Sequence, residues 1–530
     1  MAPGSPRRAG EDRFPRSAWE PGENCSLKFK ELKFKEHTNY GVPIDVLTLS
    51  QFRAKFDINS PRALRLAVDV GLACLLFWSA HAAYRGATGH VQNCDSQYSL
   101  VVAEKWLAEG TTDLRGCVPD DPMDRRQMRG YTPGHDLPYQ LVRHTDSRHP
   151  AAPPAVYYGY PLGSTVLSLP FVEASGRSRG LSMLHPDGRP NMAVEDLLQL
   201  RIAGRVAAAI IVLFYVLARF FCPPPVAVLI AAGFAFGSPV WSTLSRALWS
   251  HTWMVCCLSV AVILLVARRR INRSPWKIDL LFGAALGTAL FWTVFVRAHG
   301  VLSAAAIGAY LLLHHWRTLI ITIAAGGLWS AGLVAVSLSA FGTPTPPSVY
   351  DAGAIDGRDV LNRFAWLMVS PSRGLLVYCP YVAAVAAILI AFRRHLSETG
   401  LLFPAGLAVV AHTTLFACYS GWHGGSSYGP RYFCDLLPWF VLATAIAVRG
   451  LLNAPGFSWR KVIATAALVA CFGWGVFVHA RGANSVRAWI WNARSLAVGQ
   501  EEAVMEWRHP QFLAGRTFEV HMDGSVTERR

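Results

Sequence analysis

The stretch "GWHGGSSYGPRYFCDLLPW", Gly421–Trp439, sets Trp422, His423, Tyr428, Arg431 and Asp435 around a glycine-rich turn. It lies between two apolar runs, "LLFPAGLAVVAHTTLFAC" before and "FVLATAIAV" after. Flexible backbone, a cation, aromatic rings and a carboxylate make an inventory for holding an anionic amphiphile with a carbohydrate-like part. Aromatic faces stack on sugar rings, glycine permits close backbone approach, and an arginine fork gives two hydrogen bonds to one oxyanion. More such side chains stand where other apolar runs end: Arg246 and His251 in "LSRALWSHTW", Arg297 and His299 in "FVRAHG", Arg373 in "SPSRG". One arginine at a span end is uninformative, because long cationic side chains anchor there routinely. Several on one rim suggest a phosphate, with Arg297, Arg373 and Arg431 as its contacts and the two histidines as further substrate contacts.

Two earlier stretches carry other chemistry. In "NCDSQYSLVVAEKWLAEGTTDL" the spacing of apolar residues predicts a short helix over Ser96–Glu109. Asp95 stands at its N-cap position, where an aspartate ordinarily satisfies free backbone N–H groups. Its place just beyond the first apolar run also suits it to chemistry at a membrane surface, with Glu104 on the same helix. In "AVYYGYPLGSTVLSLPFV", Tyr157, Tyr158 and Tyr160 precede an apolar segment too short to span, which reads as interfacial. These tyrosines serve either as headgroup-level anchors or as substrate contacts. Cys94 and Cys117 bracket part of the same region and could pair in an oxidising compartment. No cysteine or histidine spacing resembles a zinc site.

The elements that position these residues are membrane spans. Of 530 residues 52% are hydrophobic and only 16% charged, and the apolar residues gather in stretches of roughly 17 to 23, long enough for a ~30 Å hydrocarbon core. About eleven spans are expected, beginning near Leu66, Leu200, Val226, Trp249, Ile278, Val301, Leu319, Val377, Leu401, Phe440 and Val462. The net charge of +16 does not point to nucleic acid, because its arginines and lysines punctuate the span ends, as in "RRRINRSPWK", in the manner of the positive-inside rule. The fold class is an all-α polytopic membrane protein. Residues 1–62 form a basic cytoplasmic segment, 63–480 the transmembrane domain, 85–199 its large first outer loop, and 481–530 an extracytoplasmic tail.

"CDSQYSLVVAEKWL", "YYGYPLGSTVLSLPF", "SPSRGLLVYCP" and "GWHGGSSYGPRYFCDLLP", in this order, resemble the GT-C superfamily of integral-membrane glycosyltransferases. Within it the chain is similar to bacterial relatives of the polyprenyl- and dolichyl-phosphate-mannose mannosyltransferases and of the arabinosyltransferases, from about Leu64 onward. The resemblance implies an inverting transfer from a polyprenyl-phosphate sugar to a glycan, lipid or protein hydroxyl. It places the reaction on the outer face of a bacterial plasma membrane. It also implies that an acidic residue of the first outer loop acts as base; Asp95 occupies that position. The adjacent acidic pair of the protein mannosyltransferases is missing, which leaves Glu104 as a second acid and weakens the case for a protein acceptor. A monophosphate donor carries little charge and no DxD-like pair follows span one, so no cofactor is required and a divalent cation is optional. A flippase for lipid-linked saccharides is the rival reading, but it predicts charges deep within spans. An O-antigen-ligase-like enzyme would carry its large loop late in the chain.

Overall fold

A chain that crosses lipid must satisfy its backbone polar groups internally, and this one does so almost throughout as helix. The computed structural model describes residues 61–529 except 90–93, 147, 150, 272–274 and 349–354. The expected cytoplasmic segment therefore lies, save its last two residues, outside the described residues.

The main helices are α1 (Pro61–Gly86), α2 (Ser99–Glu109), α3 (Met192–Arg219), α4 (Pro224–Phe236), α5 (Ser250–Arg269) and α6 (Trp276–Val296). They continue with α7 (Gly300–His314), α8 (Trp316–Phe341), α9 (Tyr381–Ala391), α10 (Leu402–Ala417), α11 (Leu437–Asn453) and α12 (Trp459–Asn484). Eight are long and apolar enough to cross a membrane: α1, α3, α5, α6, α8, α10, α11 and α12, the last-but-two and last-but-one counted with the 3-10 turns that lead into them. The remaining three of the expected spans appear as the shorter apolar helices α4, α7 and α9, and a fourth short one covers Val360–Val369. Two of the short helices are pieces of longer broken elements. After α4 the chain continues through a π-helical turn at Val240–Leu244, and α9 follows a single turn at Leu375–Tyr378. Gly237-Ser238-Pro239 and Cys379-Pro380 mark the interruptions, where proline cannot donate into the helical ladder.

Leu64–Arg530 forms one compact unit. Its centre is α3, α5 and α11, whose inner faces are almost wholly buried. α8 lies at the outside, with Leu328 77% exposed and Ile323 64% exposed, the surface that lipid covers. α6 and α8 approach closely because glycine lines the contact: a Cβ at Gly287 would stand 2.5 Å from the Thr322 carbonyl oxygen, and one at Gly283 would stand 2.6 Å from the Ile321 Cβ. This G-x-x-x-G spacing is a device of membrane helix pairs.

The helix ends fall on two faces. On one, α1 ends, α3 and α5 begin, α6 turns into α7, and the Gly421–Trp439 stretch leads into α11. On the other, Asp69 of α1 pairs with Arg219 of α3 at 2.7 Å, Arg268 of α5 pairs with Asp279 of α6 at 2.7 Å, and Arg269 pairs with Glu398 ahead of α10. The helical expectation stands, with two small additions: an antiparallel hairpin β1–β2 (Leu141–His144 with Ala155–Tyr158) in the large loop and another, β3–β4 (Phe518–Val520 with Val526–Glu528), in the tail.

Cys94 and Cys117 do not pair; all ten described cysteines are free thiols. Cys94 contacts the Ser96 hydroxyl at 3.0 Å and packs against Ala247 and Trp249, whereas Cys117 belongs to the main core. Burial pushes the Cys94 thiol up to about 12, which keeps it an unreactive thiol.

Candidate functional site

The loop before α11 turns back on itself through Gly424, Gly425 and Gly429, with φ of +74°, +61° and +60°. Side chains are strained in that region, so the glycines are what allows the turn. The chain then enters a 3-10 helix, Arg431–Leu436, which carries Arg431 and Asp435.

Arg431 reaches the loop that joins α1 to α3. Its Nη1 lies 3.1 Å from the Asp95 Oδ2, and its Cζ sits 4.7 Å from the Trp249 ring centroid and 5.4 Å from that of Tyr432. The Arg431 Nε is buried without a hydrogen-bond partner among the described residues, an uncommon condition for a strong donor. Tyr158 donates its hydroxyl to the Asp95 carbonyl at 2.6 Å, and its ring stands 5.7 Å from that of Tyr160.

Asp95 does not cap the helix. α2 begins at Ser99, three residues later than predicted, after Tyr98 in a left-handed conformation. The free N–H groups of Tyr98 and Leu100 instead donate to the two carboxylate oxygens of Glu195, at 3.1 and 3.2 Å. Glu195 comes from the first turn of α3 and is fully buried. The capping duty that would explain Asp95 as a structural residue is performed by another carboxylate.

Asp435 is also fully buried. The His251 Nδ1 lies 2.8 Å from its Oδ1; the His299 Nε2 and the Arg297 Nε lie 2.7 and 3.5 Å from its Oδ2. The His299 Nε2 is also 3.2 Å from the Arg297 Nε, but one nitrogen cannot donate to the carboxylate and accept from the guanidinium together. The shorter contact puts the proton on the His299 Nε2. Burial, aided by the neighbouring Arg297, holds the His299 imidazole below its ordinary value against the pull of Asp435. The ring is therefore neutral at pH 7. Arg297 further donates to the Ser250 hydroxyl at 2.5 Å. The His251 Nε2 is buried and has no hydrogen-bond partner among the described residues.

Beside this polar cluster lies an apolar cavity of about 600 Å³ between α6, α7 and α8. Tyr160, Pro161 and Ala298 line it, as do Gly287, Phe291, Leu319 and Ile323. Of its lining, Ala298 stands between Arg297 and His299 in the chain.

Other expected residues are used differently. Arg373 spends all five of its N–H donors inside the protein: on the carbonyls of Ser372, His423 and Gly425 and on the side chains of Gln511 and Asn492. It has none left for a phosphate, which corrects the expectation of a third phosphate ligand. Burial pushes it down to about 10, so it remains charged at neutral pH. The His423 Nδ1 accepts from the Gly425 N–H at 3.1 Å, and burial and two arginines push that imidazole down to about 4. Trp422 donates to Glu501 at 2.8 Å and Tyr428 to the Val478 carbonyl at 2.7 Å. Tyr157 packs edge-on against Phe341 at 4.9 Å. These four hold the loop and its surroundings in shape. Glu104 accepts from the Ser182 hydroxyl and the Met183 N–H, at 2.6 and 2.5 Å, and so anchors the far side of the large loop.

The sequence reading missed Glu195, Trp249 and Gln511. Gln511 is fully buried in the tail. It accepts from Arg373 and from the Gly429 N–H, donates to the Ser427 and Ala488 carbonyls, and its own N–H reaches the Ser372 hydroxyl. Its sequence signal is the polar side chain between Pro510 and Phe512. Among the described residues no group of three or more His, Cys, Asp or Glu could hold a metal ion.

No family model matches the sequence, and no curated protein matches it. Among solved structures, a crystal structure of ArnT from Cupriavidus metallidurans bound to undecaprenyl phosphate is similar at 12% identity and a TM-score of 0.42, over 84% of this chain and 75% of that one. The apo structure of the same protein is similar at 13% identity and a TM-score of 0.41, over 86% of this chain and 76% of that one.

Proposed function

We propose that this chain is a membrane glycosyltransferase of the GT-C type, moving a mannosyl, arabinosyl or related sugar from a polyprenyl phosphate to an acceptor hydroxyl. The observation that carries the reading is the Asp95–Arg431 pair at 3.1 Å, set beside an apolar cavity of about 600 Å³. An acid, a phosphate ligand and a lipid-sized groove are what such a donor requires. The polyprenyl chain occupies the groove and the phosphate meets Arg431, with the Nε of that residue free to receive it and Arg297 close behind. A phosphate at Arg431 competes with Asp95 for the guanidinium and releases the carboxylate. Asp95 then takes the proton of the acceptor hydroxyl as its oxygen bonds to the anomeric carbon. The bond from that carbon to the phosphate oxygen breaks from the opposite side, inverting the centre, and its electron pair leaves with the phosphate. Arg431 stabilises the charge that gathers there. Arg373 and Gln511 position the Arg431 loop, and Asp435 orients His251 and His299.

Arg431→Lys tests this reading. The charge is kept and the fork is lost, so turnover should fall about 100-fold while the protein still folds. A variant within twofold of the parent would sink Arg431 as the phosphate ligand.

We further propose that the face holding Asp95 lies outside the cytoplasm, in the plasma membrane of a bacterium; the reading is supported by Arg219, Arg268–Arg270, Arg317, Arg393 and Arg394 at helix ends of the opposite face. A reporter active only outside the cytoplasm should work when fused after Arg481 and be silent after Arg270. The reverse result overturns the orientation.

A further inference from the structure

The face opposite Asp95 has a cavity of its own, about 580 Å³, where the ends of α3, α5 and α11 meet. Arg219, Arg270 and Arg449 line it, together with Phe220, Phe221 and Glu398. Two of these charges are already matched: Arg219 pairs with Asp69 at 2.7 Å, and Glu398 pairs with Arg269. Among the described residues Arg270 forms no ion pair. It donates to the Phe220 carbonyl and lies over the rings of Phe220 and Phe221, with its Cζ 5.1 and 5.7 Å from their centroids. Arg449 makes no hydrogen bond or ion pair among the described residues.

A second hollow of about 350 Å³ continues from the first and shares Arg219, Phe220 and Arg270 with it. Its walls on α1 and α3 are mostly apolar, with Leu66, Val70, Ala73 and Val216, and they include Tyr215 and the Asp69 carboxylate that pairs with Arg219. An anion cavity with two uncompensated guanidinium groups thus runs into an apolar groove at the lipid boundary. We infer that this is a binding site for an anionic phospholipid of the leaflet opposite the proposed catalytic face, with its phosphate between Arg270 and Arg449 and an acyl chain in the α1–α3 groove. A free phosphate would satisfy the same guanidinium groups but has no use for the groove. Basic pockets between membrane helices suit anionic headgroups, each cation being worth about 1 kcal/mol near the surface. The site is remote from Asp95 and does not depend on the reaction proposed there.

Thermal unfolding of the full chain in dodecyl maltoside, during titration with phosphatidylglycerol, tests it. Phosphatidylglycerol should raise the melting temperature saturably, while phosphatidylcholine and inorganic phosphate should leave it unchanged. Arg449→Gln should shift the titration midpoint about fivefold to higher lipid, and Arg270→Gln similarly. Arg460→Gln, on the same face outside the cavity, should not shift it. If Arg270→Gln fails to fold, Arg449→Gln carries the test, since it breaks no bond among the described residues. Equal protection by phosphatidylcholine, or an unmoved midpoint in Arg449→Gln, overturns the site. Protection by inorganic phosphate equal to that by phosphatidylglycerol replaces the lipid with a free anion and overturns the acyl groove.

Discussion

Asp95→Asn should fold normally, bind the lipid donor, and turn over roughly 10²–10⁴ times more slowly, the usual contribution of a general base. The expectation is sharp because the structural role that an aspartate at this position would normally have is filled by Glu195, which accepts the Tyr98 and Leu100 N–H groups. Asparagine keeps the size of the side chain and an oxygen to face Arg431, and it loses only proton affinity and charge. Glu195→Ala is the converse control. It should leave two buried N–H groups unmatched and cost about 2 kcal/mol of stability, with the folded remainder still active. Single-turnover rates and thermal unfolding of both variants separate the roles. A near-normal rate for Asp95→Asn removes Asp95 as base, and a simultaneous collapse in Glu104→Gln would pass that role to Glu104.

Asp435→Asn should be the most destabilising change at the site. Both oxygens of this buried carboxylate are engaged, and Arg297, 6% exposed, has no other acid within reach among its described contacts. Taking one partner from a buried ion pair leaves the other charge uncompensated, at a cost of about 3–5 kcal/mol. The melting temperature in detergent should fall accordingly. Asp435→Asn with Arg297→Gln should recover much of that stability by removing the stranded charge. It should not recover activity, because His251 and His299 have lost the group that orients them. If the single variant melts with the parent, Asp435 is not what holds this cluster together.

The spans were legible because hydropathy over some twenty residues is a property of the local sequence. Each expected span corresponds to a long helix or to a short apolar one. The breaks after α4 and before α9 also had local signals, in Gly237-Ser238-Pro239 and Pro380. The contacts of the site had none. Asp95 and Arg431 are 336 positions apart, and no spacing rule links residues brought together by the packing of several helices. The same distance explains the misreadings. An aspartate before a helix looks like a cap unless one knows that Glu195 arrives from 97 positions away. An arginine in a turn looks free unless the tail that absorbs its donors is seen. Arg373 and Gln511, 138 positions apart, each looked incidental alone.

Gln511 also sets a timetable. It is made after all eight long helices, and its hydrogen bonds to Ser372, Arg373, Ser427 and Gly429 fasten the loop that aims Arg431 at Asp95. At 5–20 residues per second, roughly 20 to 80 s separate the synthesis of Asp95 from that of Gln511. The helices from Ser99 to Asn484 are made within that interval, and until its end the ribosome-bound chain lacks the clasp on its Arg431 loop. Under the proposed function, a nascent, half-inserted chain should therefore not act on donor lipid until the segment carrying Gln511 has reached the face where Asp95 and Arg431 meet.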